Sequence, residues 1–278
     1  MIITNPIINK SIEYILKHIG ENVSVDDVAG YCNFSKYYFS RMFKEETGMS
    51  IYYFIKQLKI DQSAVRIKIE RDKSITEIGE LYGYSSSNYS SAFSKQYDIS
   101  PKEFRKSTDS KIMANPFYMD EHTHFKSFEY YDKNISIQDL PKFNVLYEKH
   151  IGTYVDIGDN WYKFMDKYKD FFNKDTLLIE RSYNDPTISK VNECVYDLCI
   201  TVNEDIEGED IDKIDSSRYV VYRFDGPIYE IFGEFEGVFS VWFPKSSYKR
   251  SDEYVLGIYR NIDKENDIVT MDLCIPIK

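Results

Sequence analysis

The sequence has 278 residues, 42% of them hydrophobic, with no apolar run of membrane-spanning length and no signal-like start, so a soluble, cytoplasmic protein of one large or two smaller domains is expected. Four cysteines (Cys32, Cys194, Cys199, Cys274) form no CxxC pair, which disfavours a zinc site or a disulfide framework and predicts reduced, buried side chains. The net charge of −11 argues against nucleic acid as a partner of the whole chain, yet it is unevenly spread: residues 1–108 carry 15 basic and 13 acidic groups, residues 109–278 carry 20 and 33. Two domains with different electrostatic tasks are therefore predicted. Aromatic residues are abundant alongside Ile, Lys and Asn, so an aromatic position carries functional weight only where a motif fixes it.

Apolar residues at helical spacing (Ile8, Ile12, Ile15, Leu16, Ile19) predict a helix from Ile7 to Gly20. Ser24 with Asp27 caps a helix Val25 to Tyr31, and Ser35 caps a second, Lys36 to Thr47. A longer helix follows, about Ile51 to Glu70. The pattern then recurs: Ser74 and Glu77 open a helix Ile75 to Tyr82, a Ser-rich turn leads to a helix Asn88 to Tyr97, and Ser100-Pro101 starts one more. Val28-Ala29, Phe39 and Phe43 align with Ile78-Gly79, Tyr89 and Phe93, an internal repeat of two helix-turn-helix units.

The segments VSVDDVAGYCNFSKYYFSRMFKEETGMSIYYFIKQLKI and SITEIGELYGYSSSNYSSAFSKQYDISPKEFRK resemble the DNA-binding domain of the AraC/XylS transcription regulators over about a hundred residues. The resemblance rests on Ser35 to Lys44, on Gly48 and Ser50, and on the closing Ser100 to Arg105. It implies that Lys36–Thr47 reads one major groove of double-stranded DNA and Asn88–Tyr97 the next. Tyr37, Ser40 and Arg41 then meet base edges, Arg41 with the planar fork that pairs with guanine, unless it is engaged by a nearby acid or phosphate. Backbone contacts would come from Lys36, Lys44, Lys56, Lys59, Lys95 and Lys102, each of which could equally be a solvated lysine. The second unit reads as one residue short of the family pattern, with Ser91 where an arginine is common. Its reading face is Ser87, Asn88 and Ser91, and it is expected to contribute less affinity. Gly79, where alanine is usual, is expected to cost its helix about 1 kcal/mol.

Residues 109–135 read as a linker. Within it His122 and His124 form a weak metal-ligand pair with no third ligand near. After Pro141, strands are predicted at Phe143–Lys149 and Val195–Val202 with a helix Asp159–Phe172 between them. A second run follows: strand Tyr219–Phe224, helix Ile228–Trp242, strands Tyr254–Tyr259 and Val269–Ile275. Gly152 to Ile157 and Gly226 to Ile231 mark the same strand-to-helix passage in both, which predicts tandem βαββ repeats around a cleft.

Residues 136–278 resemble the GyrI-like, or multidrug-recognition, effector domain, on LPKFNVLYEKHIGTYVDIGDNWYKFM, Asn184-Asp185-Pro186 and YRFDGPIYEIFGEFEGVFSVWFPKSSYKRSDEYVLGIY. The fold class expected is thus an all-α double helix-turn-helix domain (1–108), a linker (109–135) and an α+β GyrI-like domain (136–278), the order of Rob-type members of the AraC family. The resemblance implies a lipophilic, often cationic or aromatic effector against aromatic walls, here Tyr154, Trp161, Trp242 and Tyr259, with a buried glutamate as counter-charge. Trp161 and Trp242 could equally fill the core. The usual L-E-x-Y reads Leu256-Gly257-Ile258-Tyr259, so the carboxylate is missing; Glu253 or Glu193 could replace it. Without a replacement, charge selectivity should be small, and Gly257→Glu should create it. The expected function is a DNA-binding regulator, an activator with RNA polymerase as a further partner, needing no cofactor, metal or membrane. The alternatives are a regulator whose second domain is only a protein-interaction surface, and a GyrI-like hydrolase, disfavoured by the absent carboxylate.

Overall fold

Serine caps set the frame of the amino-terminal part. In the computed structural model, which describes residues 1–21, 23–107, 125–251, 253–263 and 265–278, this part contains α1 (Pro6–Lys17), α2 (Val25–Tyr31), α3 (Lys36–Thr47), α4 (Ile51–Ile69), α5 (Ile75–Leu81), α6 (Ser86–Tyr97) and α7 (Pro101–Ser107). Ser24 and Ser74 form full capping boxes with Asp27 and Glu77. Each satisfies two backbone donors at the helix start that would otherwise be orphaned. The chain divides into two units, Met1–Asp109 and Ser110–Lys278.

The repeat is regular in three dimensions. Helices α5 and α6 start 50 positions after α2 and α3, and α6 has the 12 residues of α3. Left-handed backbone falls at Asn33 and Gly83, and again at Gly48 and Asp98. The second unit keeps the spacing of the first, and α6 starts at Ser86 behind an extended Ser85, two residues before the predicted start. Gly79 has a packing reason that propensity could not show. A Cβ there would stand 2.7 Å from Cγ of Tyr89, whose ring is fully buried and whose hydroxyl donates to Ser63 Oγ at 2.8 Å. Both units pack on α4, which buries Phe54, Leu58, Ile60 and Ile67. Ring contacts Phe43–Phe54 and Phe93–Phe104, both at 5.3 Å, close the two small cores.

The second unit is built on one antiparallel eight-stranded sheet. Its elements are α8 (Phe128–Lys133), β1 (Ile135–Leu140), β2 (Phe143–Gly152), α9 (Ile157–Lys167), β3 (Leu178–Ser182), β4 (Cys194–Thr201), β5 (Ile211–Ile214), β6 (Ser217–Pro227), α10 (Ile231–Gly237), β7 (Val255–Asp263) and β8 (Ile268–Ile277). The strand order is β1-β6-β8-β7-β3-β4-β2-β5. Part of the predicted linker is thus folded: Ser127 caps α8, and Tyr131 of that helix is buried against Tyr222. The predicted helix Asp159–Phe172 is α9 followed by a 3-10 turn at Lys169–Phe171. The predicted helix Ile228–Trp242 is a 3-10 turn, then α10, then a π-helical turn at Val238–Trp242. His122 and His124 lie outside the described residues.

Strand alternation gives the sheet two distinct faces. One carries Leu146, Tyr196, Leu198 and Ile200 and packs with Trp161 and Phe164 of α9 and Phe232 of α10. The other carries Val145, Tyr147, Ile179, Cys199, Leu256 and Ile258.

Candidate functional site

On the amino-terminal unit, α3 and α6 turn matching faces outward. Lys36, Tyr37, Arg41 and Lys44 are exposed and Ser40 is half-buried, while Phe39 and Phe43 are fully buried. Ser87, Asn88, Ser91 and Lys95 are likewise exposed on α6, with Tyr89 and Phe93 buried. Tyr37 is 83% exposed. Arg41 Nε donates to Glu45 at 2.8 Å, and Lys36 pairs with Asp26 at 2.6 Å. Both are solvent-exposed pairs, which hold little energy and yield readily to a stronger anion. Fifty positions on, Ser91 stands at the place of Arg41 and Lys95 at that of Glu45, so α6 keeps a positive charge on this face where α3 pairs one internally. Lys102 is exposed, Lys56 half-buried and Lys59 buried.

In the second unit, the helix-facing side of the sheet brings Tyr154, Trp161 and Tyr259 together around a carboxylate that the sequence reading missed. Glu180 on β3 is the direct register partner of Gly257 on β7. It is 7% exposed. Tyr259 Oη donates to it at 2.9 Å and Ser182 Oγ at 2.8 Å, and Tyr154 Oη reaches Ser182 Oγ at 3.3 Å. Trp161 stands edge-on to Tyr259 with centroids 5.4 Å apart, and Tyr154 contacts Tyr196 and Phe232. Burial pushes the Glu180 carboxyl above its ordinary value, against the hydrogen bonds from Ser182 and Tyr259. The other acid on this face, Glu148, is engaged by Lys167 and by His150, which hold it below the usual carboxylate range despite its burial. Among the described residues the partners of Glu180 are hydroxyls, a setting in which an uncompensated anion is costly and a cation is welcome.

Two of the predicted cleft residues lie elsewhere. Trp242 donates from Nε1 to Asp132 at 2.8 Å and stacks between Phe128 and Tyr248, a core role beside α8. Glu253 is exposed and accepts from Ser217 and Ser251, so it is not the missing counter-charge. Glu193 sits half-buried in the turn before β4.

Residues 133–278 match the GyrI-like small molecule binding domain, more than half of the chain. The chain belongs to the GyrI-like family. Residues 28–107 match a helix-turn-helix domain of the AraC type, so a GyrI-like domain here follows a DNA-binding one, the arrangement of Rob-type regulators. Among curated proteins, the xylose operon regulatory protein of Escherichia coli K12 is 34% identical over 112 residues, 40% of this chain and 28% of that protein. Transcriptional regulator Rob of Salmonella typhimurium is 31% identical over 93 residues, 33% of this chain and 32% of Rob. The matched stretch thus spans about a third of the length of these relatives. Among solved structures, the C-terminal domain of AraT, a response regulator from Geobacillus stearothermophilus, is 30% identical and covers 43% of this chain and 96% of its own, with a TM-score of 0.36.

The opposite face of the GyrI-like sheet holds a buried charge network. Asp197 accepts from Lys149 at 2.8 Å, from Arg181 at 2.6 Å and from the Tyr183 hydroxyl at 2.5 Å, and Arg181 reaches on to Asp212 at 2.6 Å. Burial would raise the Asp197 carboxyl, but the two cations outweigh it and hold it below its ordinary value. Arg181 also lies over the rings of Tyr147 and Tyr254. The adjacent residues Glu180 and Arg181 therefore serve opposite faces: one is held by hydroxyls among aromatic rings, the other locks strands together. Among the described residues, no group of three or more His, Cys, Asp or Glu could hold a metal ion, and no helix is long and apolar enough to cross a membrane.

Proposed function

We propose that this protein is a cytoplasmic, sequence-specific DNA-binding transcription regulator, an activator, whose GyrI-like domain senses a small aromatic or lipophilic cation. The observation that carries the reading is Glu180, a carboxylate buried among Tyr154, Trp161, Tyr196 and Tyr259 with no basic side chain paired to it among the described residues. Such a group gains most from a positive charge delivered with its own apolar surface, since the cation offsets desolvation while the rings present their negative faces. Tyr259 is half-buried and is the most accessible of the cluster, so the ligand would enter past its ring. The two βαββ runs, β2-α9-β3-β4 and β6-α10-β7-β8, are best read as a duplicated unit, with β3 and β7 meeting at its centre. The ligand would then lie at the join of the two halves.

Glu180 also removes the argument that this domain lacks a carboxylate for acid or base work. Its two hydroxyl partners and the helix-turn-helix unit in the same chain nevertheless favour sensing over turnover. The test uses the full chain with a duplex selected from random-sequence DNA and a matched pair of dyes, one cationic and one neutral. The cationic dye should raise the melting temperature and change DNA occupancy, the neutral one much less. Hydrolysis of neither dye and no shift with either would reject the sensing function.

A further inference from the structure

Helix α8 has only six residues, too few to hold a helix in water without a surface to lie on. That surface is α10 and the π-helical turn that continues it. Tyr131 of α8 is 1% exposed, and its phenol rests on Gly237, the last residue of α10: a Cβ added there would stand 1.8 Å from Oη and 2.2 Å from Cζ. Gly237 has ordinary helical backbone, φ −61° and ψ −38°, so its missing side chain answers to the Tyr131 ring and not to the chain conformation. Five residues on, Trp242 closes the π-helical turn, donates from Nε1 to Asp132 at 2.8 Å and stacks on Phe128 with ring planes 6° apart. Phe128, Tyr131 and Asp132 thus share one face of α8, and all three rest on the same helical run.

The other end of that run enters the Glu180 site. Phe232, in the first turn of α10, meets the Tyr154 ring edge to face at 5.6 Å, and Tyr154 reaches Ser182, which donates to Glu180. Between the two ends, Glu234 accepts from the Tyr222 hydroxyl at 2.8 Å, and the Tyr222 ring lies against Tyr131 at 5.9 Å. Phe232 and Gly237 are about 7.5 Å apart along the helix axis. Turning or sliding α10 by one residue brings Glu236 or Val238 to the place of Gly237, where the phenol has no room. The seat is therefore held or lost, and packed contacts of this kind turn small shifts into discrete changes. Single π-helical turns inside helices cluster at functional sites, and this one lies between the Tyr131 seat and the Trp242 anchor.

We propose that α8 couples the two activities of the protein: a ligand in the Glu180 site displaces Phe232, shifts α10 and unseats Tyr131 from Gly237, and the release of α8 alters DNA binding. The proposal rests on the reading of the protein as a ligand-sensing regulator and adds how its two domains communicate. Among the described residues α8 is the first helix after the helix-turn-helix unit, so its seat fixes where the chain leaves the sheet for that unit. Except for Lys133 it also lies ahead of the residues matched to the GyrI-like family, as befits a part that joins such a domain to its neighbour.

The experiment titrates the full chain with a selected duplex by fluorescence anisotropy, with and without saturating cationic dye, and with dye by calorimetry, with and without duplex. In the parent the dye should change duplex affinity by about 5- to 150-fold, and the duplex should change dye affinity by the same factor, since coupling between two sites is reciprocal. Gly237→Ala keeps the helical backbone and drives Tyr131 from its seat. It should bind duplex as the dye-loaded parent does, whether or not dye is present, and bind dye without DNA at least as tightly as the parent. A merely distorted site would bind dye more weakly. Asp132→Ala, at an exposed position, removes the Trp242 anchor and should reduce the coupling factor. Gly158→Ala on α9, where an added Cβ meets nothing within 4 Å, should couple as the parent does. Should Gly237→Ala fail to melt cooperatively or to bind dye, Asp132→Ala carries the test. A coupling factor as large as the parent's in Gly237→Ala, or in Asp132→Ala where the former does not fold, overturns the role of α8 and leaves the sensing reading standing. A parent that binds dye and duplex with neither affecting the other removes the sensing reading and this proposal with it.

Discussion

Replacing Glu180 by glutamine keeps the side-chain volume and removes the charge, and its effects on stability and on binding should have opposite signs. Two hydroxyls donate to the carboxylate at 2.8 and 2.9 Å, and the amide can satisfy both by accepting from one and donating to the other. The folded-state carboxyl titrates above its ordinary value because it is buried. Below the unfolded value both states are protonated and the group costs nothing. As the pH rises past that value the unfolded chain loses its proton first, and stability falls until the folded carboxyl has also ionised. Glu180→Gln lacks this loss, so it should melt above the parent at about pH 8 and level with it at about pH 4. Cation binding should go the other way. Removing one partner of a buried charge pair costs about 2 to 5 kcal/mol, a loss of about 30-fold or more in affinity for the cationic dye, with the neutral dye little changed. In the parent, cation affinity should also fall as the pH drops below the folded titration point, since binding must then expel a proton. Calorimetric titration of both dyes at acidic and alkaline pH measures each effect. Equal affinity of the parent for the two dyes, or a preference that survives in Glu180→Gln, would refute the assignment of Glu180 as the counter-charge.

Arg41→Ala should cost about 1 to 3 kcal/mol of DNA affinity and relax preference at one base position, read by selection from random duplexes, and Ser91→Ala should cost less. Gly79→Ala, stabilising by helix propensity alone, should instead lower stability by about 1 to 3 kcal/mol through overpacking against the Tyr89 ring, measured by urea unfolding, and Tyr89→Leu in the same chain should relieve it. Asp197→Ala leaves Lys149 and Arg181 buried without their shared anion and should cost about 3 to 5 kcal/mol. In the parent, Asp197 titrates below its ordinary value, so its contribution is present above the unfolded carboxyl range and is lost as the pH falls through the folded value, which acid unfolding of the two proteins would show.

The helices of the first unit were legible because their signals are local: a serine cap, an acid three residues on, a glycine at the end. Ser24 with Asp27 marks the start of Val25–Tyr31, and Ser35 and Gly48 bracket Lys36–Thr47. The exception, the start at Ser86, arose where three serines in a row offer several caps and only the register with the first unit chooses among them. In the second unit the long strands were visible and the short ones were not. Strand β3 is five residues, and its Glu180-Arg181 pair looks like a solvated loop because adjacent charges normally face water. Both are buried, on opposite faces, Glu180 accepting from Ser182 and the distant Tyr259, Arg181 donating to the distant Asp197. The buried acid beside Tyr259 was therefore hidden in the element least like a strand. Trp242 was drawn toward the cleft by motif position and Glu253 as a replacement for the missing carboxylate, and what decides their place is a contact with Asp132 for one and with Ser217 for the other.

The same geometry reverses the expectation for Gly257. Read along its own strand, Gly257 lacks a carboxylate; read across the sheet, it lies beside one. Directly paired residues of antiparallel strands hold their side chains about 5 Å apart, so a carboxylate can pass from one strand to its neighbour and stay within reach of the same rings. A Cβ on Gly257 would stand 2.8 Å from Met271 Cε, 3.6 Å from Glu180 Cβ and 3.9 Å from its Oε2. The glycine is thus the space that lets Glu180 fold in. Gly257→Glu would press a second carboxylate against the first, and two such groups in one site cannot both ionise freely. It should therefore lower stability, more at alkaline than at acidic pH, and weaken dye binding by occupying the site. Exchanging the two residues, Glu180→Gly with Gly257→Glu, should restore cation preference on a domain close to the parent in stability. Thermal melting with the dye pair distinguishes these outcomes. A single Gly257→Glu variant as stable as the parent and more selective for cations would mean that Glu180 does not occupy this space, and the reading of the site would fall with it.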